Sequence, residues 1–261
     1  MATRLFVVHR SHPSAAIQRA LELKGVDYKL FEFSPPSHVL GMRMLFGGRT
    51  VPGIRFDDGE KVQGSLAIMQ ALERRYPQPP LYPSDADARA AVIEAERWGE
   101  ATFQPIARRI IWPAFARNPE ALHSFQQGSK LPALPLGVIK LLAPGITAIE
   151  RRLNHATDEA QRADLDALPG HLDRIDAWIA DGVLDGEHLN AADLQIGATL
   201  NLLMAIEDLR PLIEREGGRA NPDPDWRPAG RLAHRVFEPI PGRVPAGTIP
   251  AWWLPAVPAP A

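Results

Sequence analysis

The sequence predicts a small mixed α/β unit over residues 1–80, followed by an all-helical region over residues 81–261. Three observations lead to this division. The first eighty residues alternate between strand and helix periodicity. Residues 76–87, YPQPPLYPSDAD, form a polar, proline-rich linker suited to a domain boundary. Beyond it the apolar residues recur at helical spacing.

The elements follow in order. Residues 4–9, RLFVVH, are a short β-type run. Residues 14–24 place Ala16, Ile17, Ala20, Leu21 and Leu23 at helical spacing, and Gly25 supplies a C-cap. Residues 27–33 alternate as a strand, Pro35-Pro36 ends it, and a weak helix covers 38–46. Then come an extended segment ending in Val51-Pro52, a short strand, a turn at Asp57-Asp58-Gly59 and a second short strand. Ser65 caps a helix over 65–75. Two strands joined by a helix, then a hairpin under a last helix, make a compact mixed sheet.

After the linker, residues 88–111 form one long helical pattern, with a break expected at Pro105. Residues 131–149, LPALPLGVIKLLAPGITAI, are the most apolar stretch. Three prolines, two glycines and Lys140 interrupt it, so a buried or groove-lining helix is expected there and no membrane span. Helical spacing continues over 146–155 and 159–180. Residues 190–203 open with Asn190 and, three residues later, Asp193, a capping-box spacing, with Leu189 placed as a hydrophobic staple. This last helix is nearly all apolar or small and belongs at the centre of the fold. From about residue 217 the chain is predicted to be an irregular proline-rich tail, in which Trp252 and Trp253 pack against the rest.

Composition excludes several classes. The formal net charge is -2, so no overall basic field invites nucleic acid. Cys is absent, which removes disulfides, thiolate metal sites and Cys nucleophiles, and favours a cytoplasmic location. The N-terminal residues MATRLFVVHRSHPS carry no signal-peptide pattern. His9 and His12 share an HxxH spacing without a third ligand, so no metal is expected.

Five pieces in fixed order carry a resemblance: Ser11 after the first strand, Ala20-Leu21-Glu22-Leu23-Lys24-Gly25, Thr50-Val51-Pro52, Ser65-Leu66-Ala67-Ile68, and Asn190-Ala191-Ala192-Asp193. Together they resemble the cytosolic glutathione transferase family, over residues 4 to about 209. The resemblance implies a thioredoxin-like N-terminal domain that binds glutathione as co-substrate, and a helical domain that takes a small apolar electrophile. It implies that a cis-proline loop at Val51-Pro52 offers backbone groups to the tripeptide. The Ser65 hydroxyl and the amides behind it would hold a carboxylate at a helix start. A hydroxyl after the first strand, Ser11 first and Ser14 second, would hydrogen-bond the thiol and stabilise the thiolate. Homodimers and a detoxifying role are common in such proteins.

Two positions depart from the pattern. The family commonly has an acidic residue or Gln directly before the serine at position 65, paired with the ligand's ammonium group. Here Gly64 stands there and Gln63 is one residue earlier, facing the other way if strand-like. Around Ser11, His12 intervenes before Pro13. Gly64 also has a purely conformational reading as a φ > 0 turn residue. Two further functions therefore stay open: a binding or scaffolding protein that keeps the fold, and a relative that uses a different thiol or anionic ligand. Arg108-Arg109 and Arg151-Arg152 are expected on solvated helix faces, with one pair able to line a cleft. Trp98, Phe103 and Trp112 fit core packing first and an apolar substrate site second.

Overall fold

The computed structural model describes residues 2–214 and 228–255. The N-terminal unit contains a four-stranded sheet in the order β2-β1-β3-β4, from β1 (Arg4–Val8), β2 (Lys29–Phe33), β3 (Gly53–Arg55) and β4 (Lys61–Gln63). Parallel pairing of β1 with β2 requires a crossover, which α1 (His12–Leu23) supplies. The pairs β1–β3 and β3–β4 are antiparallel. Helix α2 (His38–Phe46) precedes the Val51-Pro52 turn, and α3 (Ser65–Arg75) covers the sheet.

Helix α1 begins two residues before the expected start, because Pro13 fits the first turn of a helix, where no N–H partner is needed. Its end follows expectation, with Gly25 at φ +62. Helix α3 also differs at its start. Gly64, at φ 91, is the N-cap, and Ser65 is the first helical residue rather than the cap. Only glycine takes that backbone angle without a Cβ penalty, so the chain turns into the helix there.

The helical region contains α4 (Ala86–Trp98), α5 (Gln104–Arg117), α6 (Pro119–Ser124), α7 (Leu136–Leu153), α8 (Asp158–Ala180), α9 (Ala191–Met204), α10 (Arg210–Glu214) and α11 (Pro228–Val236). The single long helix expected over 88–111 is broken by a π-helical turn at Gly99–Phe103. Pro105, in the first turn of α5, has no N–H for the preceding turn, and its ring crowds the carbonyl four residues back. Helix α7 starts well before residue 146, and α11 lies in the tail expected to be irregular. The tail's expected start at about 217 falls outside the described residues. Trp253 packs against Arg117, 4.9 Å from ring centroid to guanidinium, whereas Trp252 is 80% exposed and does not pack as expected.

Helix α9 is buried on nearly every face, among α1, α4 and α11. Its capping box forms: Asn190 Oδ1 accepts from the Asp193 amide at 3.1 Å, and Asp193 Oδ2 accepts from the Asn190 amide at 2.8 Å. Asp193 Oδ1 also accepts from the Asp185 amide at 2.8 Å, so one carboxylate orders two chain segments.

The two halves meet through Lys24. Its side chain is fully buried, and Nζ donates to Glu73 Oε2 at 2.8 Å, to the Tyr76 carbonyl at 2.5 Å and to the Pro79 carbonyl at 2.9 Å. Glu73 Oε2 in turn accepts from the Leu81 amide at 3.0 Å, and the Ala191 amide donates to the Leu81 carbonyl at 2.9 Å. One ammonium group thereby anchors α1, α3 and the linker, and the linker anchors α9. Lys24→Ala removes the cation and leaves Glu73 and two linker carbonyls without it. We expect a loss of about 3 kcal/mol in unfolding free energy, measured by urea denaturation, as for a buried pair stripped of one partner. A loss below about 0.5 kcal/mol, typical of an exposed pair, would contradict this assignment.

Candidate functional site

A cavity of about 520 Å³ opens between the N-terminal sheet unit and the helical region. The turn after β1, the segment after β2 and the loop before β3 form one wall. Helices α5 and α7, and the segment between α6 and α7, form the other. The wall is mainly apolar, with polar groups at separate places.

Ser11 lines this cavity. Arg10, at φ 61, turns the chain out of β1, and the Ser11 amide donates to the Val8 carbonyl at 3.0 Å. Ser11 is the N-cap residue of α1, yet its hydroxyl makes no capping bond. Instead it accepts from Ser14 Oγ at 3.0 Å, which leaves its own proton free to donate. Ser14 is fully buried and is not part of the cavity wall.

The basic neighbours of Ser11 are engaged elsewhere. His9 Nε2 and Arg10 Nη2 meet the Gln127 carbonyl at 3.0 and 2.7 Å. Glu32 accepts from Ser129 Oγ and the Lys130 amide, both at 2.7 Å, and lies 3.6 Å from His9 Nδ1. Together these contacts fasten the 127–130 segment to the ends of β1 and β2. His12 is buried, and desolvation, reinforced by Arg108, holds its pKa well below the usual imidazole value.

Val51 also lines the cavity, and the Val51–Pro52 peptide bond is cis. The Pro52 carbonyl accepts from the Gly64 amide at 2.9 Å. Among the described residues, the Val51 N–H and C=O make no hydrogen bond. A Cβ at Gly53 would lie 2.6 Å from Met42 Cε and 2.8 Å from the Phe46 ring, so a larger residue would have to displace both side chains.

Gln63 has a local structural task. Its Oε1 accepts from the Gly48 amide at 3.1 Å and its Nε2 donates to the Thr50 carbonyl at 2.7 Å, which braces the turn ahead of Val51. Ser65 is buried, and its Oγ accepts from Gln104 Nε2 at 3.2 Å. Gln104 Nε2 also donates to Gln195 Oε1 at 2.7 Å, so a buried amide relay runs from α3 through α5 to α9. Of the seven residues singled out from the sequence, Ser11 and Val51 line the cavity. Ser14, Pro52, Gln63, Gly64 and Ser65 stand behind those two or beside them.

These features match known proteins. Residues 5–80 match the family model for the glutathione S-transferase N-terminal domain. Maleylacetoacetate isomerase of Pseudomonas aeruginosa PAO1 is 36% identical over 96 residues, which cover 33% of this chain and 43% of that protein. Glutathione S-transferase Z1 of Arabidopsis thaliana is 28% identical over 178 residues, 64% of this chain and 74% of the relative. The solved theta class glutathione S-transferase of Xanthomonas axonopodis pv. citri, with glutathione bound, superposes with a TM-score of 0.57 at 18% identity, over 90% of this chain and 91% of that one.

Residues 5–80 are thus similar to the N-terminal domain of the glutathione S-transferase family, and the chain shares the fold of solved glutathione S-transferases. Its sheet unit is the thioredoxin-like N-terminal domain, and the helices form the C-terminal domain typical of that family.

Some cavity residues carried a second reading from the sequence, and others were not singled out at all. Arg108 and Arg109 both line the cavity, the second of the two readings given for them and not the solvated face expected first. Arg109 is held by a two-point bridge to Asp164 at 2.6 and 2.7 Å. Arg108 makes no ion pair among the described residues; burial, then Arg109, lowers its pKa. Trp112 lines the cavity, while Trp98 and Phe103 stack on each other with centroids 5.2 Å apart, outside its wall.

Glu150 and His38 complete the set. Glu150 is on the inward face of α7, which buries Ile139, Ala143, Thr147 and Glu150 in helical register. That register, with a carboxylate at its end, was the available signal, but only for an α7 extending back to Leu136. Desolvation pushes the Glu150 carboxyl up to about 7 and lowers His38. Between pH 4.5 and 7 the folded chain therefore holds a proton at Glu150 that the unfolded chain has lost. Stability drawn from this group falls as pH rises through that window and levels off above it. Measured by urea denaturation across pH 5 to 8, Glu150→Gln is expected to lose this part of the pH dependence. An unchanged slope would place the proton elsewhere.

Proposed function

We propose that this protein is a glutathione-dependent enzyme in which Ser11 activates the thiol for attack on a small, largely apolar electrophile. The observation that carries this reading is Ser11: it lines the cavity, makes no capping bond, and receives rather than gives the Ser14 hydrogen bond. A hydroxyl so arranged can donate to a thiolate sulfur and lower the thiol's pKa. Ser14 then acts through Ser11 as a positioning residue.

Glutathione would lie against the 1–80 domain. The unpaired Val51 backbone groups suit strand-like pairing with the tripeptide. The Ser65 hydroxyl, which accepts from Gln104 and keeps its own proton, and the α3 N-terminus suit the γ-glutamyl carboxylate. Gly64 supplies no partner for the ligand's ammonium group, and Gln63 is held by the loop. Affinity for glutathione is therefore expected to be weaker than an acidic residue at position 64 would provide.

The electrophile would occupy the apolar wall of the 81–261 domain. Arg108, charged and without an ion-pair partner there, suits a carboxylate on it, in keeping with the name of the maleylacetoacetate isomerase relative. A cytoplasmic homodimer with a detoxifying or isomerising role is the setting we propose.

Calorimetric titration with glutathione tests the binding half. Binding in the millimolar range or tighter is expected, weakened about tenfold in Ser65→Ala, the loss of one hydrogen bond to a charged group. No heat at millimolar glutathione would remove the proposal, and unaltered binding by Ser65→Ala would remove the carboxylate assignment. Ser11→Ala is expected to lower kcat for conjugation roughly 10- to 100-fold while retaining glutathione binding. Normal turnover by that variant would transfer the role to another group.

A further inference from the structure

The polar pair that α2 and α7 bring to the cavity wall, His38 and Glu150, has no task in the reaction described above. There, Glu150 is 3% exposed, and both its Oε1 and the Nδ1 of His38 are buried without a hydrogen-bond partner among the described residues. The two atoms are 3.8 Å apart, beyond the range of about 2.7–3.2 Å for a direct hydrogen bond. Glu150 Oε2 receives only a long contact from Asn154 Nδ2 at 3.4 Å. Buried polar atoms are nearly always satisfied, so two orphaned atoms side by side on a ligand cavity mark a place for a ligand group.

The chemistry of the pair selects that group. A ligand carboxylate would face Glu150 while that group is ionised, and an ammonium group cannot accept from the imidazole when Nδ1 carries the proton. A hydroxyl both accepts and donates. It can take the Nδ1 proton and give its own to Oε1, and it can do the reverse when Glu150 carries the proton and Nδ1 is the acceptor. A hydroxyl thus satisfies both orphaned atoms in either proton arrangement.

We propose that His38 and Glu150 form a hydroxyl-recognising subsite that selects phenolic or alcoholic electrophiles. The claim about turnover rests on the glutathione transferase reading above; the claim about binding does not. Asn154, which also lines the cavity, holds the Glu150 side chain from the other side.

A matched pair of probes tests it: 4-(4-hydroxyphenyl)but-3-en-2-one and its 4-methoxy analogue. Both are Michael acceptors of similar size. The glutathione thiolate forms the C–S bond at the β-carbon, the alkene electron pair moves to the α-carbon, and that carbon takes a proton from water. Two quantities are measured for each probe: kcat/KM with glutathione, and Kd by calorimetry without it.

The natural protein is expected to prefer the hydroxyl probe by roughly 3- to 10-fold, the range of one hydrogen bond. In Glu150→Ala and in His38→Ala the ratio is expected to fall to about one, while the near-isosteric Glu150→Gln keeps part of it. A ratio of one in the natural protein, a preference that survives both alanine variants, or no binding of either probe would overturn the subsite. If neither probe is conjugated but the Kd ratio is present and collapses in the variants, the subsite stands and the catalytic reading falls.

Discussion

The architecture depends on one buried ammonium group. Lys24, at the end of α1, has no contact with solvent, and burying a lone cation in a protein interior is strongly unfavourable. It is tolerated here because Glu73 neutralises it and two linker carbonyls complete its coordination. That requirement brings together the end of α1, the end of α3 and the chain leaving the sheet unit. The linker, held by Glu73 and by α9, then sets where the helical region can lie. With α1 also packed directly on α9, the cavity lies between the two halves fixed in this way.

A second buried polar connection tunes the same junction. The relay from Ser65 through Gln104 to Gln195 crosses from the sheet unit into the centre of the helical region. Its members are neutral, so it avoids the desolvation cost of a buried ion pair. It also means that the hydroxyl proposed to hold a ligand carboxylate is positioned by α5, the helix that brings Arg108 to the cavity. Ligand contacts on the two sides of the cleft are therefore mechanically related. Gln63 shows the same economy of side chains: the amide nearest the ligand's expected ammonium position braces the Gly48–Thr50 backbone instead.

Much of the fold was legible in residue patterns. The helix ends at Gly25 and Asn190, the helix over 65–75 and the break near Pro105 follow from capping and proline chemistry, which act within a few residues. The shifts at Pro13 and Gly64 are one- or two-residue effects of the same chemistry. Helix α7 was harder to read. Leu141 is 79% exposed and Leu142 43%, so apolar side chains lie on both faces and the buried register was obscured. The roles within the site were less legible still. The sequence put Ser11 first and Ser14 second without giving them separate roles, and their packing separates them, one on the cavity and one behind it.

The sequence by itself determined the order of strands and helices over residues 1–80, the turn at Val51-Pro52, and the resemblance to glutathione transferases, because these rest on local backbone preferences and on motifs in a fixed order. Tertiary structure alone decided which side chains face the cavity. Arg108, Glu150 and His38 are far apart along the chain, and no local pattern places them together. They come together because α5 and α7 pack on each other and face α2 and the turn after β1 across the cavity. The physical reason is that burial and charge pairing are properties of that docking, which no window of neighbouring residues contains.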